Sequence, residues 1–274
     1  MRFLRFTALS VLFTAQVVWA QQSTISDVYY TISEPTAPKQ SIDFLSFERE
    51  VFTQITSRFY SLLKFNLHEE ALKEPDEIYA RRVHFGRWVN DPTDDTCWNT
   101  RAKVLIRSSA RPVLFRNQKN CVVDSGEWHD NFTGLKFEEA KQMQVDHTVP
   151  LKHAWITGAN KWDFNARCLF ANFIFNDYHL APVYGRENMS KGDRAPDAYI
   201  PPNPEYTCNY LKNWLKIKLA WRLALTASEV EAIRLTAKDA GCSVADFKMT
   251  TKELRDVRIA INDNLNYCTL NRRQ

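Results

Sequence analysis

The hydrophobic positions of this chain alternate between helical spacing and short runs. Between residues 79 and 161 the apolar runs are brief, such as residues 104–106 and 113–115, and polar clusters separate them, which predicts strands and loops. From Pro201 onward the spacing is helical. An earlier set of apolar residues recurs at steps of three or four and predicts an amphipathic helix that covers part of the later domain: Phe44, Phe47, Val51, Ile55, Phe59 and Leu62.

Capping residues mark helix boundaries in the C-terminal part. Thr226-x-x-Glu229 and Thr250-x-x-Glu253 each predict a helix start, because the hydroxyl and the carboxylate satisfy backbone N–H groups that have no partner within the helix. Gly241 lies where the intervening helix should end, since glycine adopts the left-handed conformation that terminates helices.

The N-terminus has the pattern of a cleaved secretory signal. Arg2 and Arg5 precede an apolar run over residues 9–19, which ends in Val18-Trp19-Ala20 before Gln21-Gln22 and predicts cleavage near Ala20. The alternative is a membrane anchor, but the run is shorter than the roughly 20 apolar residues that a spanning helix needs. Residues 21–40 are rich in Ser, Thr, Pro and Gln without periodicity, which predicts a flexible linker.

Cysteine usage agrees with an oxidising compartment. All six cysteines follow the predicted signal, and their even number is typical of disulfide-bonded secreted proteins. Spacing alone leaves fifteen possible connectivities for six cysteines, and some could be buried thiols. The pairing that we predict joins Cys97 with Cys121, Cys208 with Cys242, and Cys168 with Cys268.

Charge and size restrict the function only weakly. About 254 residues remain after the predicted signal, enough for one large domain, and the formal charge falls from +4 to about +2. Such a charge does not by itself indicate nucleic-acid binding. One stretch of basic and aromatic residues is more suggestive of nucleic-acid binding, although a solvated helix face is an equal alternative. It contains Lys212, Trp214, Lys216, Lys218, Trp221 and Arg222. Seven glycines and no glycine-rich loop make a nucleotide-cradling fold improbable.

Two short stretches carry candidate chemistry. Asp146 and His147 are adjacent in Val-Asp-His-Thr-Val-Pro, and Asn188 begins Asn-Met-Ser-Lys-Gly-Asp further along the chain. A carboxylate beside an imidazole supplies a metal ligand and a general base, and a later amide oxygen can bind the same cation. The two stretches therefore predict a metal-dependent nuclease.

The residues around the first stretch resemble a known family. Residues 146–151, followed by Ala154-Trp155, Gly158-Ala159 and Trp162, look like the first half of an HNH nuclease. More narrowly, the chain is similar to secreted relatives of the C-terminal nuclease domain of GmrSD-type restriction enzymes. The similarity extends from Tyr79 to about Cys242, roughly three fifths of the chain, and it includes Trp88, Asp91, Cys97, Thr100-Arg101, Cys121, Trp128, Asn176-Asp177, Asn188, residues 190–193, Cys208, Trp214, Lys218 and Trp221.

The resemblance implies an α+β fold with a ββα-metal core, in which a strand carries the Asp-His pair and a following helix returns the later ligand. The nuclease domain would span residues 79–242, with a helical N-terminal extension over 41–78 and a C-terminal helical extension over 243–274. Asp146 and Asn188 would be metal ligands, and His147 would be the general base. Oxygen ligands favour one divalent ion, Mg²⁺ or Mn²⁺.

Three further residues have roles that the sequence leaves open. His179 stands where these relatives usually have Asn, so it either braces the two arms of the site through hydrogen bonds, acts as a further metal ligand, or does neither. Lys191 and Arg101 could bind nucleic-acid phosphates, or could form ordinary surface ion pairs. Tryptophans at 88, 128, 155, 162, 214 and 221 could stack on bases, although core packing is the commoner role.

Two sequons occur, at Asn131 and Asn188. A glycan on Asn188 would remove the predicted ligand, so either the source does not glycosylate such sites or Asn188 is buried from the glycosylation machinery. We expect a bacterial source, with the protein outside the cell or in the periplasm.

The sequence thus predicts a secreted, monomeric endonuclease that cleaves DNA, with RNA as the alternative substrate, and that has low sequence specificity. We expect no membrane association after signal cleavage. The alternative is a secreted binding or scaffold protein that keeps the fold without catalysis. A toxin delivered to competing cells would share the chemistry.

Overall fold

A computed structural model describes residues 75, 77–91, 94–243, 247 and 249–270. The predicted signal, the predicted linker and the helical pattern over residues 44–62 lie outside the described residues. In the part of the chain that is described, no helix is both long and apolar enough to cross a membrane.

The described chain mixes helices with short strands, which confirms the α+β class. The helices are α1 (Arg81–His84), α2 (Thr100–Ser108), α3 (Leu151–Ile156), α4 (Phe164–Ala171), α5 (Gly185–Lys191), α6 (Thr207–Trp221), α7 (Ala227–Asp239), α8 (Thr251–Asp263) and α9 (Tyr267–Leu270). The strands are β1 (Leu114–Phe115), β2 (Val123–His129), β3 (Lys136–Glu139), β4 (Met143–His147) and β5 (Leu180–Tyr184).

Residues 104–106 lie in helix α2, so the strand predicted from this apolar run is wrong. The helix begins after Asn99, whose side chain accepts a hydrogen bond from the Ala102 N–H at 3.0 Å. Val104 packs with β4 and β5, whereas Leu105 packs with the buried residues of β2. Because α2 lies between two sheets, neighbouring residues are buried on different sides, and the resulting apolar run resembles that of a buried strand.

The strands form two separate antiparallel sheets. The first has the order β1-β2-β3, and the second pairs β4 with β5 in a register that places Asp146 opposite Ala181 and His147 opposite Leu180. Strand β5 leads directly into α5, which packs on β4. A Cβ on Gly185 at this junction would lie 3.3 Å from the Gln142 carbonyl oxygen, so glycine allows the close approach of α5 to β4. Strands β4 and β5 with α5 form the expected ββα unit.

The C-terminal helices begin and end largely as the capping residues predict. Thr226 Oγ1 accepts from the Glu229 N–H, and the Glu229 carboxylate accepts from the Thr226 N–H, which forms the complete capping box of α7. Gly241 follows α7 with φ of +66°. Thr250 caps α8 in the same way, but the Glu253 carboxylate accepts from Lys216 at 2.6 Å.

All three predicted disulfides are confirmed. Cys97–Cys121 joins the segment before α2 to the segment before β2, Cys168–Cys268 joins α4 to α9, and Cys208–Cys242 joins the start of α6 to the segment after α7.

The domain boundary at residue 242 stays a prediction. Leu254, Val257 and Tyr267 beyond it belong to the same buried cluster as the central helices.

Candidate active site

The ββα unit borders an open cleft of about 390 Å³. Asp146 and His147 from β4 and Asn188 from α5 line it together. The other lining residues come from the segment around α1, from β4, from the start of α3 and from the end of α5: Tyr79, Arg81, Gln144, Val145, Pro150, Leu151, Lys152, Met189, Gly192 and Asp193. At the edge of the cleft, Lys152 and Asp193 form an ion pair of 2.9 Å.

Strand geometry places the two candidate residues of β4, Asp146 and His147, on opposite faces of the strand. Successive side chains point to opposite faces of a strand, so Asp146 shares the α5 side with Gln144, while His147 turns toward Trp88 and the end of α4. Asn188 donates from its Nδ2 to Gln144 Oε1 at 2.8 Å. This bond holds the amide nitrogen against β4, and the Oδ1 of Asn188 keeps its acceptor capacity.

Lys191 forms a buried ion pair with Asp146. Its Nζ lies 2.8 and 2.6 Å from the two carboxylate oxygens and also donates to the His147 carbonyl oxygen at 2.7 Å. Lys191 is 0% exposed and Asp146 is 4% exposed. Burial raises the pKa of Asp146 and lowers the pKa of Lys191, and the attraction between them opposes both shifts. Lys191 therefore positions Asp146, and contact with a phosphate requires this pair to open.

The ring of His147 is held from two sides. Trp88 stacks on it with 5.3 Å between ring centroids and 5° between planes. The Nε2 atom lies 2.9 Å from the Ala171 carbonyl oxygen, which can only accept, so Nε2 carries the proton and Nδ1 has the lone pair in the neutral ring. Burial, together with the nearby charge of Arg81, lowers the pKa of His147 well below 6.5. The imidazole is therefore neutral at neutral pH.

Arg81 is a cleft residue that no sequence pattern predicted. It is exposed, lines the cleft with His147, and places its guanidinium 5.4 Å from the centre of the Trp88 ring. Arg81 thus contacts the Trp88 ring, and Trp88 in turn stacks on the ring of His147. The only local signal was the pair of arginines at 81 and 82, which alone does not indicate a site.

His179 lies in the core, away from the cleft residues. It is 1% exposed, and its Nε2 donates to the Phe170 carbonyl oxygen at 2.7 Å. Its backbone also accepts from the Thr148 N–H at 3.1 Å, so it links β5 to α4 and to the end of β4. Burial lowers the pKa of His179 to about 3, so the ring is neutral. These contacts suit the bracing alternative, and the role of His179 stays a prediction.

Arg101 lies beside the start of β4. Its Nη2 donates to the carbonyl oxygens of Ala140 at 3.0 Å and Met143 at 2.9 Å. These bonds fix the entry of the chain into β4, and Arg101 does not line the cleft. Its role as a phosphate ligand stays a prediction.

The donor set of the cleft fits a hydrated divalent ion that prefers oxygen ligands. No group of three or more His, Cys, Asp or Glu residues able to hold a metal occurs in the described ranges. Magnesium usually binds through one or two protein oxygens and keeps several waters. Asp146 has two oxygens with about four lone-pair positions, of which Lys191 uses two. One carboxylate oxygen and the Asn188 oxygen therefore match such an ion.

Strands β4 and β5, helix α5 and the Asp-His pair define the ββα class of nuclease domain. The chain belongs to the family described as GmrSD restriction endonucleases, C-terminal domain, which matches residues 90–234. It is also similar to an uncharacterized secreted protein of Arthroderma benhamiae, with 33% identity over 159 residues that cover 58% of this chain and 74% of the relative. No solved structure gives a significant match.

Proposed function

We propose that this protein is a secreted, metal-dependent endonuclease that hydrolyses phosphodiester bonds of DNA, with RNA as the alternative substrate, and with little sequence preference. One observation carries the proposal. The Nε2–H of His147 donates to the Ala171 carbonyl oxygen, so the lone pair of the neutral ring is on Nδ1, in a cleft that Asp146 and Asn188 also line.

His147 is the proposed general base. Its Nδ1 accepts the proton of the attacking water, and the Ala171 carbonyl and the Trp88 ring hold the imidazole at one orientation while this happens. A fixed base needs no reorientation before proton transfer.

Asp146 and Asn188 are the proposed ligands of one Mg²⁺ or Mn²⁺ ion. When bound, such an ion polarises a phosphoryl oxygen and stabilises the charge of the departing oxygen. Lys191 keeps the Asp146 carboxylate in place, and Arg81, an exposed cation of the cleft, binds a substrate phosphate.

Secretion is supported by three disulfides, by the N-terminal pattern and by the similar protein that is named as secreted. We propose that the protein acts as a monomer outside the cell or in the periplasm.

Plasmid digestion tests the proposal. The disulfide-bonded protein is incubated with supercoiled plasmid and Mg²⁺ or Mn²⁺, with and without EDTA. His147→Ala should lower the cleavage rate by a factor of about 10² to 10⁴, the usual contribution of general-base catalysis. His129→Ala is the matched control, because His129 is exposed on β2 and away from the cleft. Equal digestion by the wild type and His147→Ala, insensitive to EDTA, contradicts the proposal.

A binding or scaffold protein without catalysis is the second candidate. The observation that favours it is the Lys191 ammonium, which already neutralises Asp146. Calorimetric titration with Mn²⁺ separates the two candidates. Binding that Asp146→Ala abolishes supports the enzyme, whereas the scaffold should bind no ion at this residue.

A further inference from the structure

Asn172 connects the two groups that hold the ring of His147. It follows Ala171, whose carbonyl oxygen accepts from His147 Nε2, and it is 0% exposed at the end of α4. Trp88, which stacks on the same ring, belongs to a segment that is distant in the sequence. The His147 ring therefore keeps one orientation only when these two segments keep a fixed separation.

The side-chain amide of Asn172 binds the backbone on both sides of Trp88. Its Nδ2 donates to the Arg87 carbonyl oxygen at 3.1 Å, and its Oδ1 accepts from the Val89 N–H at 3.1 Å. Arg87 and Val89 are the neighbours of Trp88 in the chain. One amide thus fixes the stretch of main chain from which the Trp88 ring extends.

The same amide is also bonded to α2 and to α4. Its Oδ1 accepts from Thr100 Oγ1 at 2.6 Å, and its Nδ2 donates to the Cys168 carbonyl oxygen at 2.9 Å. Two accepted and two donated bonds use the full hydrogen-bonding capacity of an amide. Because carbonyl oxygens only accept and the Val89 N–H only donates, these partners also fix which end of the amide is the oxygen. Among side chains of this size, only asparagine offers this combination.

The backbone of Asn172 sets the direction of the Ala171 carbonyl. The Asn172 N–H donates to the carbonyl oxygens of Cys168 at 3.1 Å and Leu169 at 3.0 Å, within the last turn of α4. A trans peptide unit is planar, and its C=O and N–H point in opposite directions. The Ala171 carbonyl therefore points away from α4, where it meets His147.

We propose that Asn172 is a positioning residue for His147. It holds the Trp88 segment with its side chain and the Ala171 carbonyl with its backbone, so both partners stay on the same ring. The role of that ring as general base rests on the proposed nuclease function, whereas the packing of the ring does not. Without the amide, the Trp88 segment moves relative to α4, and the ring of His147 loses its fixed orientation.

Nitrogen NMR of protein with isotope-labelled histidine tests this proposal at pH 7.5 without added metal. A protonated ring nitrogen and a ring nitrogen with a lone pair resonate far apart, so the spectrum shows where the neutral ring carries its proton. In the wild type the proton of His147 should be on Nε2, and His147→Ala identifies its resonances. Asn172→Ala should shift the tautomer ratio toward Nδ1–H by about two- to tenfold, which corresponds to one ordinary hydrogen bond.

Asn165→Ala is the matched control. Asn165 also lies on α4, but its side chain accepts from Thr269 on α9 at 2.9 Å. This change should leave the tautomer ratio of His147 unaltered, even when it lowers the melting temperature. A shift of the ratio in Asn165→Ala equal to that in Asn172→Ala overturns the proposal.

Thr100→Val is a milder variant that keeps the amide and removes one of its four bonds. It should shift the tautomer ratio of His147 in the same direction as Asn172→Ala, by a smaller factor. A folded Asn172→Ala with an unchanged ratio overturns the proposal. When Asn172→Ala does not fold, Thr100→Val decides, and an unchanged ratio there overturns it.

Hydrolysis of bis(4-nitrophenyl) phosphate connects the orientation of His147 to the reaction. The residues that contact the substrate are intact in Asn172→Ala, so KM should change little, while kcat should fall by about ten- to a hundredfold because a reacting group is misplaced. An unchanged kcat beside a shifted tautomer ratio contradicts a role in the reaction. Absence of hydrolysis in the wild type counts against the nuclease function, and the NMR result still decides whether Asn172 positions the ring.

Discussion

Two histidines of this protein bond to consecutive carbonyls at the end of α4, yet their surroundings differ. His147 bonds to the Ala171 carbonyl and lines the cleft, whereas His179 bonds to the Phe170 carbonyl in the core. The Nδ1 of His179 is buried without a partner among the described residues. Chemistry at a histidine needs its second nitrogen to meet water or substrate, so the location of that nitrogen favours His147 as the reactive group.

His179→Ala tests the bracing role. It should lower the free energy of unfolding by about 2–4 kcal/mol, because it removes packing against Phe170 and Phe173 and leaves the Phe170 carbonyl without its donor. Urea denaturation measures this loss. Mn²⁺ affinity should change little when the variant is folded, and a large loss of affinity at unchanged stability would instead identify His179 as a ligand.

Lys191→Met should destabilise the fold by about 3–5 kcal/mol, because it leaves the buried Asp146 carboxylate unpaired. Adding Asp146→Asn should recover part of that loss, because the amide that replaces the carboxylate carries no charge. A double-mutant cycle in urea measures the coupling. Additive losses would show that the ion pair contributes little to stability.

Arg222→Gly should raise the free energy of unfolding by about 0.5–1 kcal/mol, because glycine removes the strain of a Cβ at positive φ. Thermal unfolding measures this gain in stability. Arg255→Ala on α8 is the control, because it also removes one positive charge. A stability loss in Arg222→Gly would mean that the side chain stabilises the fold through contacts of its own.

At the scale of elements, a buried charged cluster joins α3, α6 and α7. Lys218 Nζ lies 2.9 Å from His153 Nε2, 2.7 Å from the Ala224 carbonyl oxygen and 3.0 Å from a Glu229 oxygen. Glu229 also accepts from the Trp214 indole at 2.9 Å. These residues lie on three helices, so the cluster fixes their relative positions at the cost of burying charge.

This cluster makes stability depend on pH. Burial alone would raise the pKa of Glu229, but Lys218 and His153 hold it well below its usual range. Burial and the Lys218 charge lower the pKa of His153. In both cases the unfolded chain takes up protons that the folded protein does not, so stability should fall as the pH drops below 6.5, the ordinary value for His153, and further below 4.5, that for Glu229. The lowered pKa values of His147 and His179 add to the first of these two steps.

Urea unfolding between pH 8 and pH 3.5 measures these two steps. Glu229→Gln should cost about 3–5 kcal/mol at pH 7, because the buried Lys218 charge loses its partner, and should flatten the dependence below pH 4.5. The exposed Glu231→Gln on the same helix is the control and should leave both steps in place. A wild-type profile that is flat across this range contradicts the assignment.

At the scale of the molecule, the disulfides close loops of different lengths. Cys168–Cys268 spans 100 residues, and Cys97–Cys121 spans 24. Loop entropy in the unfolded chain predicts that replacing the first pair by Ser costs about 4–5 kcal/mol, against about 3 kcal/mol for the second. Denaturant unfolding of the two double-serine variants measures both. An equal or reversed order would show that local packing outweighs loop entropy here.

The sequence by itself determined the features that depend on neighbours in the chain. The capping box of α7 follows from a hydroxyl and a carboxylate three residues apart, and the glycine that ends α7 follows from backbone sterics. Adjacent Asp146 and His147 and the later Asn188 carried the resemblance that led to the α+β class and the ββα unit.

Only the tertiary structure decided the features that depend on distant segments. Helix α2 resembles a strand in the sequence because the two sheets that bury its opposite sides lie elsewhere in the chain. Arg81 enters the cleft from α1, and Lys191 meets Asp146 across the α5–β4 contact. Spacing along the chain cannot give these contacts, since burial, charge pairing and hydrogen bonding act over a few ångströms in space, whatever the separation in sequence.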